Sequence, residues 1–206
     1  SIHSKDDYFE PIQFKEIMGK KNSLFFGKKA GDAKDLFFNL IDSLLEELKS
    51  EKKDEISEEY NANNKEEMFE EAKNEIDNNI INDLFVGYYE TVYNCIAKNN
   101  KIYSITSESF ILFNLEKIKM FYKRENFTIE ECFSYNFNRR FNTDFYCCNC
   151  NKIENNTTKE FIYEPPKILV LILDRGHGNT FVGMVKFEKE LDIKNYIDSQ
   201  NNQYNT

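Results

Sequence analysis

The chain has 206 residues, 40% of them hydrophobic and 31% charged, with a net charge of −9 and a pI near 4.9. That length suits one large domain or two small ones, and the composition is ordinary for a soluble globular protein. The acidic balance argues against a nucleic-acid or anionic-membrane partner and suits a basic protein partner better. No apolar stretch approaches the roughly 20 residues that span a bilayer, and no initial charged-then-apolar segment reads as a signal peptide. The five cysteines, Cys95, Cys132, Cys147, Cys148 and Cys150, are odd in number and crowded at one end of the set. Such usage fits a reducing compartment better than a disulfide framework, so an intracellular location, cytoplasm or nucleus, is expected. The chain opens at Ser1 and closes in polar sequence, as a piece of a longer protein would.

Residues 5–30 are mixed, with Pro11, Phe14, Ile17, Leu24, Phe25 and Phe26 as expected burial points. A helix is predicted from Asp32 to Leu48, because Ala33, Leu36, Phe37, Leu40, Ile41, Leu44, Leu45 and Leu48 keep a 3.6-residue period. Asp32 is a natural N-cap, and Asp35 adds negative charge to the first turn. Residues 49–66 are rich in Lys, Glu and Asn and predict a solvated, mobile loop. A second helix is predicted from Glu66 to about Ile80 on the spacing of Met68, Phe69, Ala72, Ile76 and Ile80. Strands are then predicted over 84–96, 101–106 and 110–118. A short helix from Thr128 to about Asn136 comes next, with Glu130 and Glu131 in its first turn. Further strands are expected near 158–163, 167–173 and 181–187, with Leu191, Ile193 and Ile197 docking the end. The apolar run after Pro165 and Pro166 reads as a strand buried on both faces.

Two of these segments carry most of the information. Cys147-Cys148-Asn149-Cys150 places two thiols at the Cys-x-x-Cys spacing of a tetrahedral metal site. Pro166-Lys167-Ile168-Leu169-Val170-Leu171-Ile172-Leu173-Asp174-Arg175-Gly176 lies beyond it as an apolar run ending in Asp-Arg-Gly. Set in order with other segments, they resemble the ubiquitin-specific protease family of deubiquitinases, particularly divergent members from single-celled eukaryotes. Phe25-Phe26-Gly27 with Gly31-Asp32-Ala33-Lys34-Asp35-Leu36 is similar to the family's second conserved box, whose helix ends as Leu44-Leu45-Glu46-Glu47-Leu48 does. Asp83-Leu84-Phe85-Val86-Gly87, with Cys95 eight residues on, is similar to the start of the fingers. Phe127-Thr128-Ile129-Glu130-Glu131-Cys132-Phe133 is similar to the short helix before the second cysteine pair, which Cys147 and Cys150 match. The Pro166-to-Arg175 segment resembles the family's Pro-x-Ile-Leu-x-x-x-Leu-x-Arg strand. Phe187 with Leu191-Asp192-Ile193 resembles the family segment on the C-terminal side of that strand. The likeness runs over about residues 9–197 and rests on order and spacing, since no single box is decisive.

The resemblance implies an α+β, papain-like ubiquitin-specific protease fold, present over 1–206 as a single partial domain. Its parts would be a helical thumb side at about 1–80, fingers at about 81–160, palm strands at about 161–197, and a polar tail over 198–206. It implies a thiol protease that hydrolyses the bond after the terminal Gly of ubiquitin, with a Cys nucleophile and a His base. The Cys belongs to a Gly-Asn-x-Cys box upstream of Gly31 and the His to a Gly-His-Tyr box; neither box is found. No Cys precedes Cys95, and His177 in Gly176-His177-Gly178 comes directly after the Asp-Arg strand, as a turn residue would. No catalytic residue is therefore assigned, and the segment is expected mainly to bind ubiquitin. Either the boxes lie elsewhere or the parent protein is an inactive relative.

By the same resemblance, Asp32 and Asp35 hold the arginine-rich tail of ubiquitin by charge-assisted hydrogen bonds, beside their capping role. Cys95, Cys147 and Cys150 match three of four fingertip zinc ligands, but Lys98 stands at the fourth position, where an ammonium repels a cation. No cofactor is required, and the lysine weighs against structural zinc. Cys132 reads as a small buried hydrophobe. The expected partners are ubiquitin or ubiquitinated proteins, with no nucleic acid and no membrane. Two rivals stand beside this: a catalytically inactive ubiquitin-binding or scaffolding relative, and an unrelated zinc-ribbon module.

Overall fold

The structure is a computed structural model, and it describes residues 10–28, 31–49, 64–95, 100–147, 152–176, 178 and 181–198. Most of the predicted loop over 49–66 falls outside these residues, as do His3, His177, Lys98, Cys148 and Cys150. Two compact units divide the chain, residues 1–51 and 52–206.

In the first unit, helix α1 (Ile12–Lys21) leads through a short 3-10 turn (Ser23–Phe25) to helix α2 (Ala33–Leu48). Asp32 caps α2 as its sequence predicts, its carboxylate accepting from the Lys34 N–H at 2.8 Å. The end of α1 is tied to α2 by an amide pair, Asn22 Nδ2 to Asn39 Oδ1 at 2.7 Å, and by a surface ion pair between Lys21 and Glu47. Met18 and Ile41 are buried, but Phe14, Ile17, Leu24 and Phe26 are exposed, and Pro11 with them, against expectation. Two helices and a turn supply one layer where a core needs at least two, so these side chains have too little to pack under.

The second unit begins with helix α3 (Lys65–Asn74), capped by Asn64 through the Glu67 N–H at 2.9 Å. The predicted helix to Ile80 stops early. Asn79 starts a separate helix α4 (Ile80–Phe85) by accepting from the N–H groups of Ile81 and Asn82, which leaves Ile80 exposed. Asn and Asp side chains compete well for backbone donors, so Asp77-Asn78-Asn79 breaks the helix and restarts it.

Strands β1 (Gly87–Cys95) and β2 (Asn100–Glu108) form a hairpin. Strand β3 (Ile111–Asn114) passes at once into helix α5 (Leu115–Tyr122), where the sequence predicts a strand through residue 118. The Asn114 carboxamide accepts from the Lys117 N–H at 2.9 Å, and this cap turns the strand into a helix. The two-residue strand β4 (Phe127–Thr128) leads into helix α6 (Ile129–Phe137), which starts with a reciprocal capping box between Thr128 and Glu131. Strands β5 (Phe141–Cys147) and β6 (Lys152–Glu164) form a second hairpin; the sequence predicts only the part of β6 near 158–163 and not β5. The two hairpins join as one antiparallel sheet in the order β2-β1-β6-β5.

Strand β7 (Leu171–Asp174) pairs in parallel with β3, and strand β8 (Val185–Lys186) with β4. The predicted strand over 167–173 is thus short. Ile168 is exposed and residues 171–174 are half-buried rather than covered on both faces. The Ile168 N–H is committed to the Leu84 carbonyl at 2.8 Å, so ladder pairing begins only after it. Likewise only Val185 and Lys186 of the expected 181–187 strand pair, while Phe181 turns inward to 1% exposure. The core lies between α5, α6 and the base of the finger sheet, with Phe113, Leu115, Ile118, Cys132, Phe133, Phe137, Ile162 and Phe181 buried together. Leu191, Ile193 and Ile197 pack against it, and Tyr196 joins it while its hydroxyl reaches the Glu130 carbonyl at 3.1 Å.

Candidate functional site

The sequence points first to the start of α2. Asp32 is exposed at the N-cap and Asp35 half-buried in the first turn. Their carboxylates sit at the positive end of a 16-residue helix, where the backbone dipole stabilises negative charge. The cap uses one Asp32 oxygen; a carboxylate has two oxygens and about four acceptor positions, so capping leaves room for an incoming guanidinium. A fork-shaped cation could be held here by charge-assisted bonds.

The thiols whose side chains are described, Cys95 and Cys132, are both buried. Cys132 is fully buried on α6, and burial, with Glu131 adding to it, pushes its thiol up to about 12. At neutral pH such a group is essentially all thiol, and the thiol is the unreactive form. Cys95 is 1% exposed at the end of β1.

The finger sheet sets the level of the remaining cysteines. Asn94 of β1 faces Thr157 of β6, which faces Asn142 of β5. Cys95 is therefore level with Thr143, and Cys147 lies four residues further along β5, opposite Lys152. At ~3.4 Å per residue and ~4.8 Å per strand, their backbones are about 17 Å apart, far beyond the reach of one tetrahedral ion. Among the described residues no group of three or more His, Cys, Asp or Glu is placed to hold a metal ion.

Three structural features escaped the sequence reading. The first is a buried charge cluster. Glu90 of β1 is fully buried, and Lys65 of α3 reaches it at 2.6 Å and Asp198 at 3.0 Å. Burial, together with the neighbouring Asp198, holds the Glu90 carboxyl above its ordinary value although Lys65 pulls the other way. Burial pulls Lys65 down, but its two carboxylate partners outweigh this and hold it above its ordinary value. The second is the part played by Arg175, the last residue of the motif strand. Its guanidinium donates to the carbonyls of Phe181 and Gly183, both at 3.2 Å, and so fixes the loop between β7 and β8. The third is the seam between two motifs. Lys167 pairs with Asp83 at 2.6 Å, and a Cβ on Gly87 would stand 2.6 Å from Pro166 Cδ. Only glycine lets β1 start so close to the proline pair.

A four-stranded antiparallel sheet packed with helices α5 and α6 and flanked by two short parallel strand pairs is an α+β arrangement. The sequence profile of the ubiquitin carboxyl-terminal hydrolase family matches residues 1–206, and the chain belongs to that family. Among solved structures, it is similar to the SAGA Ubp8/Sgf11/Sus1/Sgf73 DUB module bound to ubiquitin aldehyde, with TM-score 0.64, 17% identity, 90% of this chain and 37% of that chain covered. A SAGA DUB module with a substituted Ubp8 bound to monoubiquitin gives TM-score 0.60 and 16% identity, covering 92% of this chain and 38% of that one. A yeast SAGA DUB module carrying an Sgf73 mutant gives TM-score 0.53 at 16% identity, with 81% and 35% covered. These likenesses establish the fold, and they bear out the α+β reading of the sequence. The chain spans little more than a third of the solved chains it matches. No curated protein matches it by sequence. Among the described residues no helix is long and apolar enough to cross a membrane.

Proposed function

We propose that this chain is the ubiquitin-binding portion of an intracellular cysteine-type deubiquitinase that hydrolyses the peptide or isopeptide bond after the C-terminal Gly of ubiquitin. Its family membership over the whole chain carries the reading. The solved DUB modules of similar fold, two of them bound to ubiquitin or ubiquitin aldehyde, support it. In this reading Asp32, with Asp35 behind it, holds a guanidinium of the ubiquitin tail in a charge-assisted pair, and α2 keeps the carboxylates in place. The thiol nucleophile and its histidine base belong to sequence outside these residues. The fingers serve mainly as a scaffold, with Lys98 weighing against structural zinc at their tip.

The inactive scaffolding relative is the second reading, because Cys95 and Cys132 are both buried and Cys132 is poorly ionised. A ubiquitin probe ending in a thiol-reactive warhead, applied to the intact protein, separates the two. A covalent adduct is expected of the enzyme; no adduct from a folded sample that still binds ubiquitin assigns the scaffold. Asp32→Asn tests the tail site, since Asn caps as well as Asp but carries no charge. Ubiquitin affinity should fall about tenfold, roughly 1.4 kcal/mol, with the melting temperature unchanged. Equal affinity would remove Asp32 from the site.

A further inference from the structure

One face of the finger sheet holds a polar pocket of about 160 Å³, lined by Lys101, Tyr103, Arg140, Thr157, Lys159 and Phe161 with Asn94, and by the Lys65–Glu90–Asp198 cluster at one end. The strand registers put these side chains in rows. Lys101 of β2 faces Asn94 of β1, and Lys159 of β6 faces Val92. Arg140 immediately precedes Phe141, whose partner on β6 is Thr158, so Arg140 comes level with Lys159. Three cations thus cross the sheet on one face, in a chain whose net charge is −9.

Lys65 is matched by Glu90 and Asp198. Lys101, Arg140 and Lys159 have no ion pair among the described residues, and Lys159 lies over the Phe161 ring at 4.4 Å. Like charges side by side on neighbouring strands destabilise a sheet. Acidic residues are plentiful in this chain, yet none of those described pairs with the row. Such a row is explained by an anion that comes from outside.

We propose that this face of the finger sheet binds an extended acidic peptide segment of a partner protein, laid across β2, β1 and β6. The spread of the cations selects a peptide over a single oxyanion. With ~4.8 Å between strands and ~3.4 Å per residue, the Cα atoms of Lys101 and Lys159 are about 12 Å apart, close to the spacing of carboxylates four residues apart on an extended chain. Tyr103 and Phe161 flank the row, with the Lys65 and Lys159 ammonium groups over their rings at 4.7 and 4.4 Å, and Thr157 and Asn94 offer hydrogen bonds between the charges. The proposal is independent of the ubiquitin-tail site, which belongs to the other compact unit.

The test is fluorescence anisotropy of a labelled polyglutamate peptide titrated with the purified chain at low salt, with inorganic phosphate as competitor. Saturable binding is expected, weakening as salt screens the charges. The double variant Lys101→Glu/Lys159→Glu should weaken it about tenfold or more, while Lys117→Glu on α5 leaves it unchanged. The single variant Lys159→Gln should weaken binding and leave the melting temperature equal or higher, since it relieves repulsion with Arg140. No saturable binding to a folded chain would overturn the proposal. So would equal loss in the Lys117→Glu control, displacement by phosphate as effective per charge as by the peptide, or a Lys159→Gln variant that is destabilised and binds normally.

Discussion

Removing the ammonium of Lys65 should cost this protein far more than removing the carboxylate it neutralises. In Lys65→Met the fully buried Glu90 and the nearly buried Asp198 lose the cation that sits 2.6 and 3.0 Å from them. Taking one partner from a buried pair costs about 3–5 kcal/mol; Lys65 retains 20% side-chain exposure, so the lower end, about 3 kcal/mol, is expected. Glu90→Gln keeps the volume, can accept from Lys65 and can donate to Asp198, so it should be neutral or stabilising by about 1 kcal/mol at pH 7. The pH dependence is set by the direction of the shift. Glu90 has its folded-state pKa raised above 4.5, so the stability it contributes is present below 4.5 and is lost as pH rises through the folded value. Lys65 behaves likewise at the alkaline end, contributing below 10.5 and losing it as pH rises through its raised value. Urea unfolding of wild type and Glu90→Gln at pH 4.5 and pH 7 reads this out: the variant should gain on the wild type as pH rises. A Glu90→Gln variant that loses stability relative to wild type over that interval would refute the reasoning, as would a Lys65→Met variant within about 0.5 kcal/mol of wild type.

Gly183→Ala should destabilise the protein by about 2 kcal/mol or more in urea unfolding, because its Cβ would stand 1.8 Å from the Glu125 carbonyl oxygen and the backbone must shift. Arg175→Lys should also loosen the β7–β8 loop, seen as faster amide exchange at Phe181, since the shorter lysine does not bring its nitrogen to where Arg175 Nη1 donates to both carbonyls. Cys132 should resist iodoacetamide in the folded chain at pH 8 and react fully in urea, as its buried thiol stays protonated up to about 12. Elemental analysis of protein purified without chelator should find well under one zinc per chain, about 0.1 or less, because Lys98 stands at the position of the fourth ligand.

The parts legible in the sequence were those written in local chemistry. Helix α2 declared itself by apolar period and by Asp32, and α6 by Thr128 with Glu130 and Glu131 in its first turn, because a helix start and a period need only neighbours in the chain. The β3-to-α5 junction was missed although its signal was present: Leu115, Ile118 and Tyr122 keep helical spacing behind Asn114, but an apolar run with partial alternation imitates a strand. The strand after Pro166 was overextended for a different reason. Its apolar residues are real, but the hydrogen bond of Ile168 to Leu84 spends that backbone group on a non-adjacent segment. Glu90 could not have been read as buried, since its burial depends on Lys65 and Asp198, which the fold alone brings together. The cation row was equally hidden, because Lys101, Arg140 and Lys159 are ordinary surface residues until strand register aligns them. Asp32 was found by a motif that capping and ubiquitin binding share, and mutation alone separates the two uses.

Ubiquitin binding by this chain is the proposal on which the other expectations for Asp32 and Asp35 depend. Calorimetric titration of the folded chain with monoubiquitin tests it most directly. Saturable binding at one ubiquitin per chain, lost when the ubiquitin tail arginines are replaced, is the predicted result. A folded chain that produces no binding heat and no saturation at ubiquitin concentrations up to about 1 mM would contradict it.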